Sequence, residues 1–175
     1  IVHIPVLDDN AEIQGEARVC PGTTETYTIE NFGGTDFFWS LPSGGIILEG
    51  QGTNTVVVQW LNTPNANTTY LLSVQYNNCY LECGGQDDLA VKILPPFIID
   101  GPVEKCDGST AAFTSTKTPG GVINTNWTLN APDGTTAWVS ASPTANASIT
   151  FGNGPGNYRI FATPANINET CTDKA

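Results

Sequence analysis

The sequence predicts an all-β protein made of two tandem β-sandwich modules. Three observations support this prediction: short segments in which apolar and polar residues alternate, turn residues between those segments, and an internal repeat. Gly (18) and Pro (12) are abundant in the 175 residues, whereas Lys and Arg together number 6. β-Formers and turn formers therefore dominate over the long side chains that favour helices. No segment has the periodicity of an amphipathic helix.

The alternating segments predict strands that are buried on one face. Gly-rich and Pro-rich stretches follow them, such as Pro42-Ser43-Gly44-Gly45 and Gly50-Gln51-Gly52. About seven short strands per module, with turns every 8 to 12 residues or so, are typical of an immunoglobulin-like sandwich. The clearest alternating segments are residues 26–29, 36–39, 56–60, 70–74 and 89–93.

The repeat organises the chain into two modules of similar length. A cysteine turn, a tryptophan, a tyrosine and a second cysteine recur in the same order, and the tyrosine and second cysteine recur with identical spacing. The pairs are Cys20-Pro21-Gly22 with Cys106-Asp107-Gly108, Trp39 with Trp127, Tyr70 with Tyr158, and Cys83 with Cys171. Trp39 and Trp127 are therefore predicted to be the core tryptophans of the two sandwiches. For Trp60 and Trp138, packing in the core or at an edge is the simpler expectation.

The predicted domains are a leading strand or linker over residues 1–10, a first module over 11–96, and a second module over 97–175 that lacks its last strand. The boundary is Pro95-Pro96, because proline cannot donate to a sheet and two prolines stiffen the connection.

The leading segment resembles the closing strand of the first module. Val2-His3-Ile4-Pro5 has the pattern of Val91 to Pro95, so the chain carries one such strand in front and lacks one behind. One explanation is a fragment taken from a longer array of repeats. The other is strand donation, in which Val2, Ile4 and Val6 complete the second module of a neighbouring copy.

Five cysteines predict disulfides, and hence an oxidising compartment. Pairing equivalent residues within each module predicts Cys20–Cys83 and Cys106–Cys171, which leaves Cys79 unpaired. The competing interpretation pairs Cys20 with Cys79 and leaves Cys83 free.

Neither an enzyme nor a cofactor is predicted. His3 is the only histidine, so a nucleophile has almost no base available, and no catalytic or phosphate-binding motif is present. Calcium is a weak prediction, with candidate ligands at Asp8, Asp9, Asp87, Asp88 and Asp100. The net charge of −11 disfavours nucleic acid as a partner. No apolar stretch reaches the roughly 18 residues that a membrane-spanning helix needs.

The first module resembles the PKD-like repeats of large secreted bacterial surface proteins, such as gliding-motility adhesins. The residues that carry the resemblance are Val19 to Gly22, Tyr27 to Ile29, Phe38 to Gly45 and Gly50 to Trp60. The second module departs from the pattern, because Asn130-Ala131-Pro132-Asp133-Gly134 replaces the Pro-Ser-Gly-Gly turn. The resemblance implies an immunoglobulin-like sandwich, a place at the cell surface, a stalk or adhesin role, and no catalytic residues.

The expected function is therefore a structural or adhesive module of an extracellular surface protein or filament. It would form a rigid acidic rod whose partners are neighbouring copies or repeats of the same protein. The alternative is a module that binds surface glycans through exposed aromatic residues, with Trp60 and Trp138 as the candidates.

Overall fold

The computed structural model describes residues 11–62, 68–79, 83–117, 120–166 and 170–171. These residues form fourteen strands and no helix, which confirms the all-β prediction. No segment in the described ranges is a helix long and apolar enough to cross a membrane. The chain divides into two compact units, residues 1–94 and 95–175.

The described residues of unit one form seven strands in two sheets. One sheet has the order β1-β7-β6-β3, in which β1 runs parallel to β7, and the other has the order β2-β5-β4. The strands are β1 (Arg18–Val19), β2 (Thr24–Thr28), β3 (Thr35–Ser40), β4 (Gly45–Glu49), β5 (Thr55–Trp60), β6 (Thr69–Asn78) and β7 (Cys83–Ile93).

The core of unit one lies between these two sheets and follows from the period-2 pattern. Alternate residues of β5 and β6 are buried, while the residues between them are more exposed. Trp60 and Tyr27 are fully buried, and the Trp60 indole N–H donates a 3.0 Å hydrogen bond to the Tyr27 hydroxyl. That hydroxyl in turn donates to the Glu16 carbonyl at 3.0 Å, so the polar atoms of the two aromatic residues are satisfied.

The Gly50-Gln51-Gly52-Thr53 turn closes the outer edge of β3. The Gln51 amide accepts from the Trp39 N–H at 3.0 Å and donates to the Trp39 carbonyl at 2.8 Å. The Trp39 indole donates to the Thr53 carbonyl at 2.8 Å. Gly50 has a φ of 89° and leaves no room for a side chain beside Thr55. The turn thus satisfies backbone groups on a strand edge that would otherwise be open.

Seven more strands lie in the part of unit two that the structure describes. One sheet has the order β10-β9-β13 with β8 also paired to β9, and the other has the order β12-β11-β14. The strands are β8 (Phe97–Asp100), β9 (Thr110–Lys117), β10 (Gly121–Val122), β11 (Thr125–Asn130), β12 (Thr136–Val139), β13 (Asn146–Thr150) and β14 (Arg159–Pro164).

The packing of unit two repeats that of unit one with different side chains. Trp127 is fully buried and its indole donates to the Thr144 carbonyl at 2.9 Å, as Trp39 donates to Thr53. Ser140 takes the place of Gln51, because it exchanges hydrogen bonds of 3.0 Å with both backbone groups of Trp127. Trp39 and Trp127 thus occupy equivalent core positions.

Candidate functional site

An open cleft of about 630 Å³ lies in unit two beside β14. Three aromatic residues and Ile160 provide its apolar wall, while the segment 102–107 forms a charged lip. The aromatic residues are Phe113, Phe151 and Tyr158. β14 pairs with β11 along one side, and within the described part of the chain its other side has no strand beside it.

The aromatic wall of the cleft corresponds to a buried cluster in unit one. Phe113 meets Phe151 edge-to-face at 6.3 Å between ring centroids, and Phe151 meets Tyr158 at 5.1 Å. In unit one the matching contacts are Tyr27 with Trp60 at 6.2 Å and Trp60 with Tyr70 at 6.4 Å. The order of the rings along the chain is the same in both units.

Strand β7 covers this cluster in unit one. It pairs with β6 over ten residue pairs and brings Val91 and Ile93 into the core, where both are fully buried. β1 then lies on the other side of β7 and buries Val19. In unit two Val103 is fully exposed in the segment before Cys106. The open edge of β14 and the cleft next to it therefore fit a strand with apolar residues at alternate positions.

The residues predicted to donate such a strand lie outside the described residues, as do two of the calcium candidates. These are Val2, Ile4 and Val6, and Asp8 and Asp9. The Asp87 carboxylate accepts a 2.7 Å hydrogen bond from the Ile13 N–H. Among the described residues, no group of three or more His, Cys, Asp or Glu residues could hold a metal ion. Asp88 and Asp100 both lie on strands, and the calcium prediction stays untested.

Both predicted disulfide pairs are wrong. The structure contains one disulfide, Cys20–Cys171, and Cys79, Cys83 and Cys106 are free thiols. The competing pair of Cys20 with Cys79 is wrong for the same reason.

Strand geometry explains why Cys20 cannot bond to Cys83. β1 pairs Val19 with Ile93, so Cys20 lies beside the last residue of β7, whereas Cys83 is its first residue. β7 has 11 residues, which separates its ends by about 33 Å. A disulfide needs Cα atoms within about 7 Å of each other.

The same argument separates Cys106 from Cys171 in unit two. The turn that begins at Cys106 hydrogen-bonds to Phe151 through Gly108 and Ser109, next to the first residue of β9. Cys171 hydrogen-bonds to Pro95 and Phe97, and Phe97 pairs with Lys117, the last residue of β9. β9 has 8 residues, so the two cysteines lie at opposite ends of a strand about 24 Å long.

An exposed aromatic face on unit one was not predicted from the sequence. Phe38 is 63% exposed on the outer face of the four-stranded sheet, and it pairs with Gln75, which pairs with Gln86. Two shallow grooves of about 440 and 320 Å³ flank the Phe38 ring. Polar side chains line these grooves: Asp36, Ser40, Ser73, Gln75, Asn77, Gln86 and Asp88. The alternation of β3 does contain this signal, since Phe38 lies between the buried Phe37 and Trp39.

Neither of the two tryptophans that the sequence suggested for glycan binding is an exposed residue. Trp60 is fully buried. Trp138 is partly buried and packs against the core of unit two. Phe38 therefore replaces them as the exposed aromatic residue of a candidate glycan-binding face.

The two-layer antiparallel sheets, the parallel β1–β7 pair and the buried tryptophans define tandem immunoglobulin-like sandwiches. The family model for the PKD-like domain matches residues 6–93, just over half of the chain. The chain belongs to this family, whose members are typically non-catalytic structural or interaction modules. A search of curated proteins finds no match.

Several solved structures are similar to this chain. They include the three N-terminal domains of the Highly Immunogenic Outer Capsid protein of bacteriophage RB49 (12% identity, TM-score 0.44). They also include titin domains I67–I69 (12%, 0.43) and A168–A170 (12%, 0.41). These matches cover 91%, 87% and 89% of this chain. The chain spans 55%, 61% and 61% of their respective lengths.

Proposed function

We propose that this chain is a structural and adhesive segment of an extracellular surface protein or filament, extended by strand donation between copies. The open edge of β14 beside its aromatic cleft carries the proposal. In unit one the equivalent edge is covered by β7, whose Val91 and Ile93 are fully buried. The leading segment offers Val2 and Ile4 with the same spacing as that pair.

In this proposal the leading strand of one copy runs antiparallel to β14 of another copy. Val2 and Ile4 occupy the positions that Val91 and Ile93 occupy in unit one and pack on Phe151 and Tyr158. Burying each of these side chains contributes about 1.5 to 3 kcal/mol, and the main-chain hydrogen bonds of the added strand fix its direction.

Two further observations support an extracellular rod. The bonded pair Cys20 and Cys171 is stable in an oxidising compartment. The net charge of −11 favours solubility and repulsion between rods that stand side by side.

Sedimentation velocity over a range of concentrations tests the strand donation. The free thiols are first blocked with iodoacetamide, so that any assembly is non-covalent. We expect the full chain to form concentration-dependent oligomers and Ile4→Asp to remain monomeric. His3→Asp is the matched control, because alternate residues of a strand point to opposite faces, and it should still assemble. A monomeric full chain, or equal assembly by the Ile4 and His3 variants, contradicts strand donation.

A second candidate function is recognition of a neutral saccharide by the Phe38 face. A pyranose ring can stack on an exposed aromatic ring while planar amides and carboxylates bind its hydroxyls. The side chains of Gln75, Gln86, Asp36 and Asp88 have no hydrogen-bond partners within the described ranges, so their full capacity faces the solvent.

Affinity electrophoresis in gels that contain cellulose derivatives, galactomannan or soluble chitin tests this candidate. We expect at least one of these polysaccharides to retard the full chain and Phe38→Ala to abolish the retardation. Ile46→Ala, a change at a residue that is 50% exposed on the other sheet, should leave the retardation intact. Absence of retardation by all of these polysaccharides contradicts a saccharide-binding role.

A further inference from the structure

The cysteines of each unit lie at opposite ends of its sandwich. Cys20 follows Val19, whose carbonyl accepts from the Leu94 N–H at 2.9 Å, at the end where the chain leaves unit one. The Cys171 N–H donates to the Pro95 carbonyl at 2.9 Å, at the end where the chain enters unit two. Leu94 and Pro95 are consecutive in the chain. The first is therefore hydrogen-bonded to the neighbour of Cys20, and the second to Cys171 itself.

Cys106 repeats the local structure of Cys20. In unit one the Cys20 carbonyl accepts from the Thr23 N–H at 3.3 Å and from the Thr23 hydroxyl at 3.0 Å. In unit two the Cys106 carbonyl accepts from the N–H and hydroxyl of Ser109. The glycine in each turn has a similar positive φ, 79° at Gly22 and 72° at Gly108. Cys106 is thus the exit-end cysteine of unit two, in a turn with the same hydrogen bonds as the turn that begins at the bonded Cys20.

Cys83 is the counterpart of Cys171. Each cysteine follows its equivalent tyrosine, Tyr70 or Tyr158, at the same spacing. Cys83 is the first residue of β7. The Ile13 N–H donates to the Asp87 carboxylate near the middle of β7, and the Lys92 N–H donates to the Ala17 carbonyl near its end, so the chain enters unit one from the side of Cys83. Cys83 is thus the entry-end cysteine of unit one.

Apart from Cys79, the free thiols are therefore one exit-end cysteine and one entry-end cysteine. Cys106 is an exposed exit-end thiol, and Cys83 is a partly exposed entry-end thiol. Cys106 is the counterpart of Cys20, and Cys83 is the counterpart of Cys171. Cys20 and Cys171 bond to each other. We infer that Cys106 of one copy forms a disulfide with Cys83 of the next copy, so that successive copies are covalently joined head to tail.

The oxidation balances with a disulfide as the electron acceptor. Cys106 and Cys83 lose their two thiol protons to solvent and two electrons to the acceptor, and one S–S bond forms between them. The acceptor disulfide is reduced to two thiols by exchange. Both thiols are accessible to such an exchange, whereas a buried thiol would not be. Cys79 has no counterpart in unit two and takes no part.

The inference rests on the proposed head-to-tail assembly, in which the leading strand of one copy reaches unit two of the copy before it. Its test must therefore distinguish failure of the disulfide from failure of the strand donation. The iodoacetamide-blocked protein described above reports assembly without any new disulfide, and unblocked variants report the bond itself.

The test uses complementary single-thiol variants in a Cys79→Ser background. Cys83→Ser retains only the Cys106 thiol, and Cys106→Ser retains only the Cys83 thiol. Each variant is incubated alone and as an equimolar mixture with reduced and oxidised glutathione, and the products are separated on non-reducing gels. Because both thiols are at least partly exposed, serine in their place should leave the fold intact, which circular dichroism verifies.

We expect the mixture to give a covalent dimer at least tenfold more abundant than either variant alone. Peptide mapping should identify the Cys83–Cys106 bond with the Cys20–Cys171 bond unchanged. The Cys79→Ser parent, which has both thiols, should give a ladder of higher oligomers. Equal dimer yields from the single variants, or a Cys83–Cys106 bond within a monomer, would overturn the inference. So would the absence of a mixed dimer under conditions in which the blocked protein assembles.

Discussion

Replacing Tyr27 by phenylalanine removes one oxygen from the centre of unit one. That oxygen accepts a hydrogen bond from the Trp60 indole N–H and donates one to the Glu16 carbonyl, both at 3.0 Å. Tyr27 and Trp60 are both fully buried, so water cannot replace the lost acceptor. The Trp60 N–H is then left without a partner in an apolar environment.

The expected loss follows from these contacts. A buried donor without a partner costs about 1 to 3 kcal/mol, while the edge-to-face contact of the two rings is retained. We therefore expect the free energy of unfolding of unit one to fall by about 2 kcal/mol. For a domain of this size, the melting temperature should fall by about 8 to 16 °C.

Urea unfolding followed by tryptophan fluorescence measures the effect, because Trp39 and Trp60 both lie in the core of unit one. Tyr70→Phe is the matched control, because its ring packs on Trp60 at 6.4 Å and its hydroxyl has no hydrogen-bond partner in the described ranges. The control should change the free energy of unfolding by less than about 0.5 kcal/mol. Equal effects of the two substitutions would refute the reasoning, since the hydrogen bond would then contribute nothing.

Three further predictions concern unit one. Burial raises the pKa of Tyr27 above its ordinary value of 10.0. The unfolded state therefore ionises first, so the free energy of unfolding is unaffected below about pH 10 and falls by about 1.4 kcal/mol per pH unit above it. Alkaline thermal scans should therefore show a shallower decline for Tyr27→Phe. Gly44→Ala should cost more than about 2 kcal/mol, since a Cβ would meet an aromatic ring at 2.4 Å at a φ of 86°; Gly52→Ala, with similar φ and open space, should cost only about 1 kcal/mol in urea melts. Leu72→Ala should cost about 2 to 5 kcal/mol and Leu71→Ala, at a residue 46% exposed, less than about 0.5 kcal/mol; similar melting temperatures for these two variants would contradict the assigned strand faces.

The fold class was available from local sequence alone because the side chains of a strand alternate between its two faces. The segment 36–39 illustrates this, since Phe37 and Trp39 are buried and Phe38 is exposed, as period 2 requires. The repeat supplied the equivalence of Trp39 and Trp127 without any knowledge of which residues they contact. The role of Gln51 was not predictable, because its two hydrogen bonds to Trp39 depend on the path of the turn.

The candidate site was predictable in part. The resemblance of the leading segment to the end of β7 indicated a strand that could complete another sheet, since both segments are visible as patterns of apolar residues. The cleft itself depends on the packing of Phe113, Phe151 and Tyr158, which come from distant parts of unit two. Core or edge packing was the simpler expectation for Trp60 and Trp138, and it is confirmed: Trp60 is fully buried and Trp138 packs against the core of unit two. How deeply each is buried was not predictable. Burial is decided by the opposite sheet, which a local pattern does not contain.

The amino-acid sequence by itself determined the strands, the two modules and the equivalence of their cysteines. Only the tertiary structure decided which cysteines bond. Equivalence shows that Cys20 corresponds to Cys106 and Cys83 to Cys171, but it cannot distinguish a pair within one module from a pair between successive modules. The direction and length of β7 make that distinction, because they hold Cys20 and Cys83 about 33 Å apart.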